Sequence, residues 1–289
     1  MKRFARMAGL VTATATVAAV SAVALTTSAS AHTTEAAARG TAQLTAAATG
    51  PKPTIVLVHG AWADASSWTP EIERLQAAGY TVDAPPNPLR GLDYDSAYIA
   101  SYLKQISGPV ILVGHSYGGA VITNAAVGDP NVKALVYIAG WAPAQGESLA
   151  SLIASPLGQT IPGLPTEAST FPEPDGTTGT ELTIDPAAYP SVFTDNELPV
   201  AEEDALAAEQ RPLSLDAVTE TSGTPAWATI PSWYMVALDD RAIAPALEEF
   251  FAARMHAHTV EVAGPHLLML TNPGAVTHLI EEAATATTG

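Results

Sequence analysis

Gly114-His115-Ser116-Tyr117-Gly118-Gly119 follows directly on the apolar run Val110-Ile111-Leu112-Val113 and leads directly into residues 120–126, which read as helix. A serine with glycines two before and two after, set between a strand and a helix, is the pattern of a nucleophile elbow. The residue types follow from the geometry. The serine must sit on a sharp, strained turn to present its hydroxyl at the end of a strand. Gly114 and Gly118 let that turn close without a Cβ clash. The helix that follows points its free N–H groups at the serine, where they favour developing negative charge.

Outward from this stretch the chain alternates between two patterns. Thr54-Ile55-Val56-Leu57-Val58 is a continuous β-branched run, as expected of a strand buried on both faces of a parallel sheet. It ends in His59-Gly60-Ala61-Trp62. Residues 68–78 have helical spacing, with Gly79 placed to stop the helix. Residues 80–84 read as a second strand, and Pro85, Pro86 and Pro88 force a loop. The spacing predicts a helix over 94–106, with Tyr98, Tyr102 and Ile106 on one side. Residues 133–139 give the strand after the elbow helix. Strands at 232–238 and 259–262 and helices at 245–255 and 273–282 resume the rhythm further on. Six strands alternating with helices predict a mostly parallel α/β sheet covered on both faces. Between them, residues 143–227 break the alternation, with Pro and Gly scattered through 156–190 and one helix expected at 202–210. Structureless loops of that length are unusual, so the segment is expected to be a cap inserted into a core made of 53–142 and 228–286.

The N-terminus is expected to lie outside the fold. Lys2, Arg3 and Arg6 precede an apolar, small-residue stretch that ends in Ala29-Ser30-Ala31, the pattern of a cleavable secretory signal over 1–31. Its Thr and Ala content is too weakly apolar for a stable membrane anchor. Residues 32–52, rich in Ala and Thr without a period, read as a disordered leader. The expected product is extracellular. Net charge is −17 over 289 residues. Removing 1–31 takes away three basic residues and no acid, which leaves −20. Such a surface argues against nucleic acid as a partner. The chain has no cysteine, which excludes disulfides and thiol catalysis.

An elbow serine needs a base, an orienting acid and an oxyanion hole. In an open parallel sheet these come from loops at the carboxyl ends of strands. One strand ends in Asp239-Asp240 and the next in Gly264-Pro265-His266. The order Ser, Asp, His, together with His59-Gly60-Ala61-Trp62, the elbow and Asp240-Arg241-Ala242-Ile243, resembles the α/β-hydrolase superfamily. It is similar in particular to the small capped group of methyl-salicylate esterases, hydroxynitrile lyases and bacterial carboxylesterases. The resemblance spans about residues 54–282 and is weak in the cap. It implies an α/β-hydrolase fold and a serine esterase. Ser116 would be the nucleophile, His266 the base, Asp240 the acid with Asp239 as rival, and the backbone N–H groups of Ala61 and Tyr117 the oxyanion hole. Trp62 and Trp141 are candidate pocket residues.

The same triad serves other chemistry. Plant hydroxynitrile lyases of this type carry a Thr in the first-loop motif and a Lys after the histidine, where this chain has Gly60 and Leu267. Acyl transfer, and ligand binding without turnover, remain open readings on this fold. His59 and His115 read as structural. His256 and His258 lack an acid-rich partner motif and read as surface residues rather than metal ligands. No cofactor and no metal is implied. The expected partner is a small-molecule or polymer ester. Leu149, Leu152, Ile153, Leu157, Ile161 and Leu164 predict an apolar roof over the site or the seam between cap and core.

Overall fold

A computed structural model describes residues 52–287. The expected signal segment and all of the leader except Lys52 lie outside the described residues. In chain order the first half runs β1 (Thr54–Val58), α1 (Thr69–Ala77), β2 (Thr81–Asp83), α2 (Leu92–Leu103), β3 (Val110–His115), α3 (Tyr117–Ala125) and β4 (Val132–Ile138). The segment expected to be a cap then carries α4 (Leu149–Ile153), β5 (Thr166–Pro172), β6 (Thr178–Ile184), α5 (Tyr189–Phe193), α6 (Val200–Ala208), β7 (Leu213–Ser214) and α7 (Leu215–Thr219). The chain closes with β8 (Ser232–Ala237), α8 (Pro245–Arg254), β9 (His258–Val262), α9 (Leu268–Thr271) and α10 (Pro273–Thr287).

Six strands form one sheet in the order β2-β1-β3-β4-β8-β9, and every neighbouring pair is parallel. All six residues of β3 are buried, as are four of the five in β1. That is why these strands are continuous apolar runs rather than alternating ones: both faces are covered by helices. The chain builds β2 on one side of β1 and β3 on the other. The strand order therefore reverses between β1 and β3, the crevice where open α/β sheets bind ligands. Val58 pairs in register with Gly114, so the loop after β1 and the elbow leave the sheet side by side.

One expectation needs correction. The buried face of α2 is Leu92, Asp95, Ser96, Ile99 and Leu103, not Tyr98 and Tyr102, and the helix ends at Leu103 rather than Ile106. Tyr98 is exposed. The helix buries two polar residues with its aliphatic ones, so a purely apolar period selected the wrong side. Within 143–227, where only one helix was expected by position, residues 166–184 form an antiparallel hairpin, β5 on β6, with β7 completing a three-stranded sheet. The β5 residues are exposed but for Phe171, so they carry no two-residue hydrophobic alternation.

Candidate active site

Each candidate residue sits at the carboxyl end of a sheet strand. Ser116 follows β3 with φ 52° and ψ −125°, a left-handed conformation rarely adopted by a residue with a side chain. Its neighbours explain how that strain is held. A Cβ on Gly114 would come within 2.6 Å of the Gly118 carbonyl, and one on Gly118 within 2.4 Å of the Val58 carbonyl. The elbow is thus pressed between its own helix and β1, and only glycine fits at both positions. The loop after β1 is equally close: a Cβ on Gly60 would meet Ser116 Cβ at 2.7 Å.

Asp240 and His266 are brought together. His266 Nδ1–H donates to Asp240 Oδ2 at 2.5 Å, and both residues are buried. Asp240 Oδ1 accepts the N–H groups of Ala242 (2.6 Å) and Ile243 (2.9 Å), so the turn after the acid locks its carboxylate. Asp239 is exposed, and its backbone N–H is used on Gly264 O. The geometry therefore separates two adjacent aspartates that sequence alone left as rivals. With Nδ1 carrying the proton, His266 Nε2 presents a lone pair, and that atom is buried without a hydrogen-bond partner. The chain's insertion shields it: Phe193 of α5 meets the His266 ring edge-on at 5.4 Å, and Leu267 N–H donates to Phe193 O.

Two further histidines surround the pair and stay neutral. His59 Nδ1–H donates to Gly60 O, and its Nε2 accepts the Asn87 N–H at 2.9 Å. Burial brings its pKa down to about 4. His115 Nε2–H donates to His266 O at 3.1 Å, and its ring lies 4.7 Å from that of His266. Burial, then the neighbouring His266, holds its pKa well below the usual value. Their role is to fix the loop after β1 and the loop that carries His266. His256 and His258 lie elsewhere: His256 takes a left-handed turn after α8, and His258 stacks on Trp233.

The backbone N–H groups of Ala61 and Tyr117 donate to no protein acceptor among the described residues. Tyr117 begins α3, where the first amides of a helix are free. Both residues line a cavity of about 230 Å³ with Ser116, Trp62 and Trp141. From the insertion, Leu149, Ile153, Ile161 and Leu164 close it, whereas Leu152 and Leu157 pack into the core instead. None of the described lining residues is charged; Gln159 and Thr166 are its polar side chains besides Ser116 and Tyr117. Trp62 also joins the two halves, for its Nε1–H donates to Leu182 O of β6 at 2.8 Å.

Sequence reading missed the residues that hold this frame. Tyr117 OH donates to Asp95 Oδ2 at 2.7 Å, and Asp95 accepts the Arg90 N–H. Asn87 ties its side chain to His59 O. A polar residue inside the apolar face of α2, and an Asn between two prolines, were the available signals.

The alpha/beta hydrolase family model matches residues 55–279, and the chain belongs to that family. A carbendazim-hydrolysing esterase from Nocardioides sp. (strain SG-4G) is 34% identical over 111 residues, 34% of this chain; the match spans just under half, 46%, of that relative. The alpha/beta hydrolase nvfD of Aspergillus novofumigatus is 28% identical over 258 residues, 81% of this chain and 97% of its own length. Polyneuridine aldehyde esterase superposes with a TM-score of 0.68 at 21% identity, covering 80% of this chain and 99% of that one, which speaks to the fold. These relatives place the chain among enzymes of the hydrolase kind.

Proposed function

We propose that this protein is a secreted serine hydrolase of neutral, apolar carboxylic esters. The observation that carries the reading is the buried Asp240–His266 pair, with its free Nε2, together with a strained Ser116 that opens on an uncharged cavity. In this reading His266 Nε2 takes the Ser116 proton as Oγ attacks the acyl carbon. The tetrahedral oxyanion is held by the N–H groups of Ala61 and Tyr117. His266 then returns the proton to the leaving alcohol, and water repeats the cycle on the acyl-enzyme. Ser116 and His266 are not hydrogen-bonded in the free protein; such contacts commonly tighten only when substrate is bound.

The cavity narrows the substrate. A carboxylate or ammonium group would be stranded among Leu, Ile and Trp side chains without a counter-charge, which costs several kcal/mol. Its volume suits small to medium acyl chains. The absence of a lysine after His266, where Leu267 stands, sets the site against cyanide release. We place the insertion 143–227 as the specificity-bearing cap, and cleavage after Ala31 as the route to an extracellular, unanchored enzyme that binds no nucleic acid.

Hydrolysis of p-nitrophenyl esters from acetate to palmitate tests the reading, with carbendazim and mandelonitrile as further substrates. The expected result is turnover with an optimum among short to medium chains and no cyanide from mandelonitrile. Folded protein without turnover on any ester would refute it. N-terminal sequencing of protein from the culture medium tests secretion, with His32 expected as the first residue.

A further inference from the structure

Asp240 has a second carboxyl group for a neighbour. Glu248 lies on α8, eight residues further on, and is fully buried. Its Oε2 accepts the N–H of Ala237, the last residue of β8, at 3.1 Å, while no donor reaches Oε1. Asp240 N–H in turn donates to Ala237 O at 3.2 Å, so Glu248 is held at the turn that carries Asp240, and the Asp240 carboxylate is its neighbouring charge. Two bare carboxylates cannot share a dry site, because like charges there repel strongly; a proton between them turns the repulsion into a hydrogen bond.

The acceptor count on Asp240 leaves room for that proton. An ionised carboxylate has about four lone-pair positions. Ala242 and Ile243 use Oδ1, and His266 uses one position of Oδ2. Burial first, and the charge of Asp240 second, hold the Glu248 carboxyl well above the ordinary carboxylate range, so it keeps its proton at neutral pH. The groups that face it give no cation to reverse this. From β8, Tyr234 is neutral and donates its hydroxyl to Gly140 O at 2.6 Å. Glu249, next on α8, is exposed. The turn Gly158–Thr160, which also packs on α8, has no titratable side chain. Arg254, at the far end of α8, is held by Glu147.

We propose that Glu248 is a positioning residue of the site: its carboxyl group donates a hydrogen bond to the Asp240 carboxylate and, through it, sets the orientation and basicity of His266. The inference rests on the triad reading given above. The donated hydrogen bond disperses the charge of Asp240, so the imidazolium form of His266 is stabilised less than it would be by a bare carboxylate. It also fills the last acceptor position, which fixes the carboxylate plane against which His266 is aligned.

Glu248→Gln and Glu248→Leu separate this role from simple packing. Glutamine keeps the shape, the acceptor for Ala237 N–H and a donor for Asp240; leucine keeps volume and removes both. Glu248→Leu is expected to lower kcat/KM on the order of tenfold, the factor a hydrogen bond to a charged group carries, and to move the acid limb of the pH profile upward. Glu248→Gln is expected to recover most of the rate and return the limb. A leucine variant with wild-type rate and pH profile, or a glutamine variant as impaired as leucine, overturns the proposal. If the leucine variant does not fold, the infrared difference between wild type and Glu248→Gln at neutral pH decides. Loss of a neutral carboxylic-acid band supports the proposal, and loss of a carboxylate band overturns it. Wild-type protein that neither turns over esters nor labels at Ser116 would instead refute the esterase reading, while the infrared result still reports on the shared proton.

Discussion

At the scale of single residues, the site depends on a few atoms whose surroundings leave no slack. Asp240 is buried against His266 and Asp239 is exposed. Asp240→Asn should therefore lower kcat by roughly 10⁴, by holding His266 in the wrong tautomer, whereas Asp239→Asn should stay within about twofold of wild type. Steady-state kinetics on one p-nitrophenyl ester would show it, and a reversed ranking would assign the acid to Asp239. Gly118→Ala puts a methyl 2.4 Å from a backbone carbonyl that cannot rotate away; thermal unfolding should report a loss of about 1–3 kcal/mol. These positions were readable in the sequence because the elbow is local: its glycines, its serine and the helix start are covalently spaced. The choice between two adjacent aspartates was not, since it depends on which side chain the strand end turns inward. Glu248 was invisible for the same reason. Nothing in a helix sequence announces that one of its two consecutive glutamates meets a carboxylate in the loop after a neighbouring strand.

At the scale of elements, the sheet was legible and the insertion was not. Parallel strands buried on both faces must be continuous apolar runs, so β1, β3, β4 and β8 announced themselves. The hairpin β5–β6 is exposed on most positions and has no such constraint. It is tied to the core through Trp62, whose Nε1–H donates to Leu182 O and links the loop after β1 to β6. Trp62→Phe keeps the ring and removes this bond. It should lower kcat through a looser Ala61 N–H, by several-fold at most, for a net loss of about 0.5–1.5 kcal/mol. Stopped-flow acylation would isolate the step, and an unchanged acylation rate would confine Trp62 to lining the pocket. Leu164 belongs to the insertion and lines the cavity. Leu164→Ala should shift the acyl-chain optimum to longer esters, measured on the same p-nitrophenyl series.

At the scale of the whole molecule, buried acids set the response to pH. Glu71 on α1 is fully buried, neither of its oxygens finds a partner, and burial raises its pKa to about 9 from 4.5. The native state thus keeps a proton that the unfolded chain has lost above about pH 4.5. Stability should fall as pH rises from there towards 9, by up to ~1.4 kcal/mol per pH unit from this group. Urea midpoints at pH 5 and pH 8.5 should fall less in Glu71→Gln than in wild type; equal falls would mean that Glu71 is ionised in the native protein. No helix among the described residues is long and apolar enough to cross a membrane. The central claim is that one serine, Ser116, forms a covalent acyl intermediate in the crevice between β1 and β3. It is tested most directly by treating the protein with a fluorophosphonate and locating the adduct by peptide mass spectrometry. The account predicts a single adduct on Ser116, lost together with ester turnover in Ser116→Ala. An adduct on another residue, or turnover retained by Ser116→Ala, would contradict it.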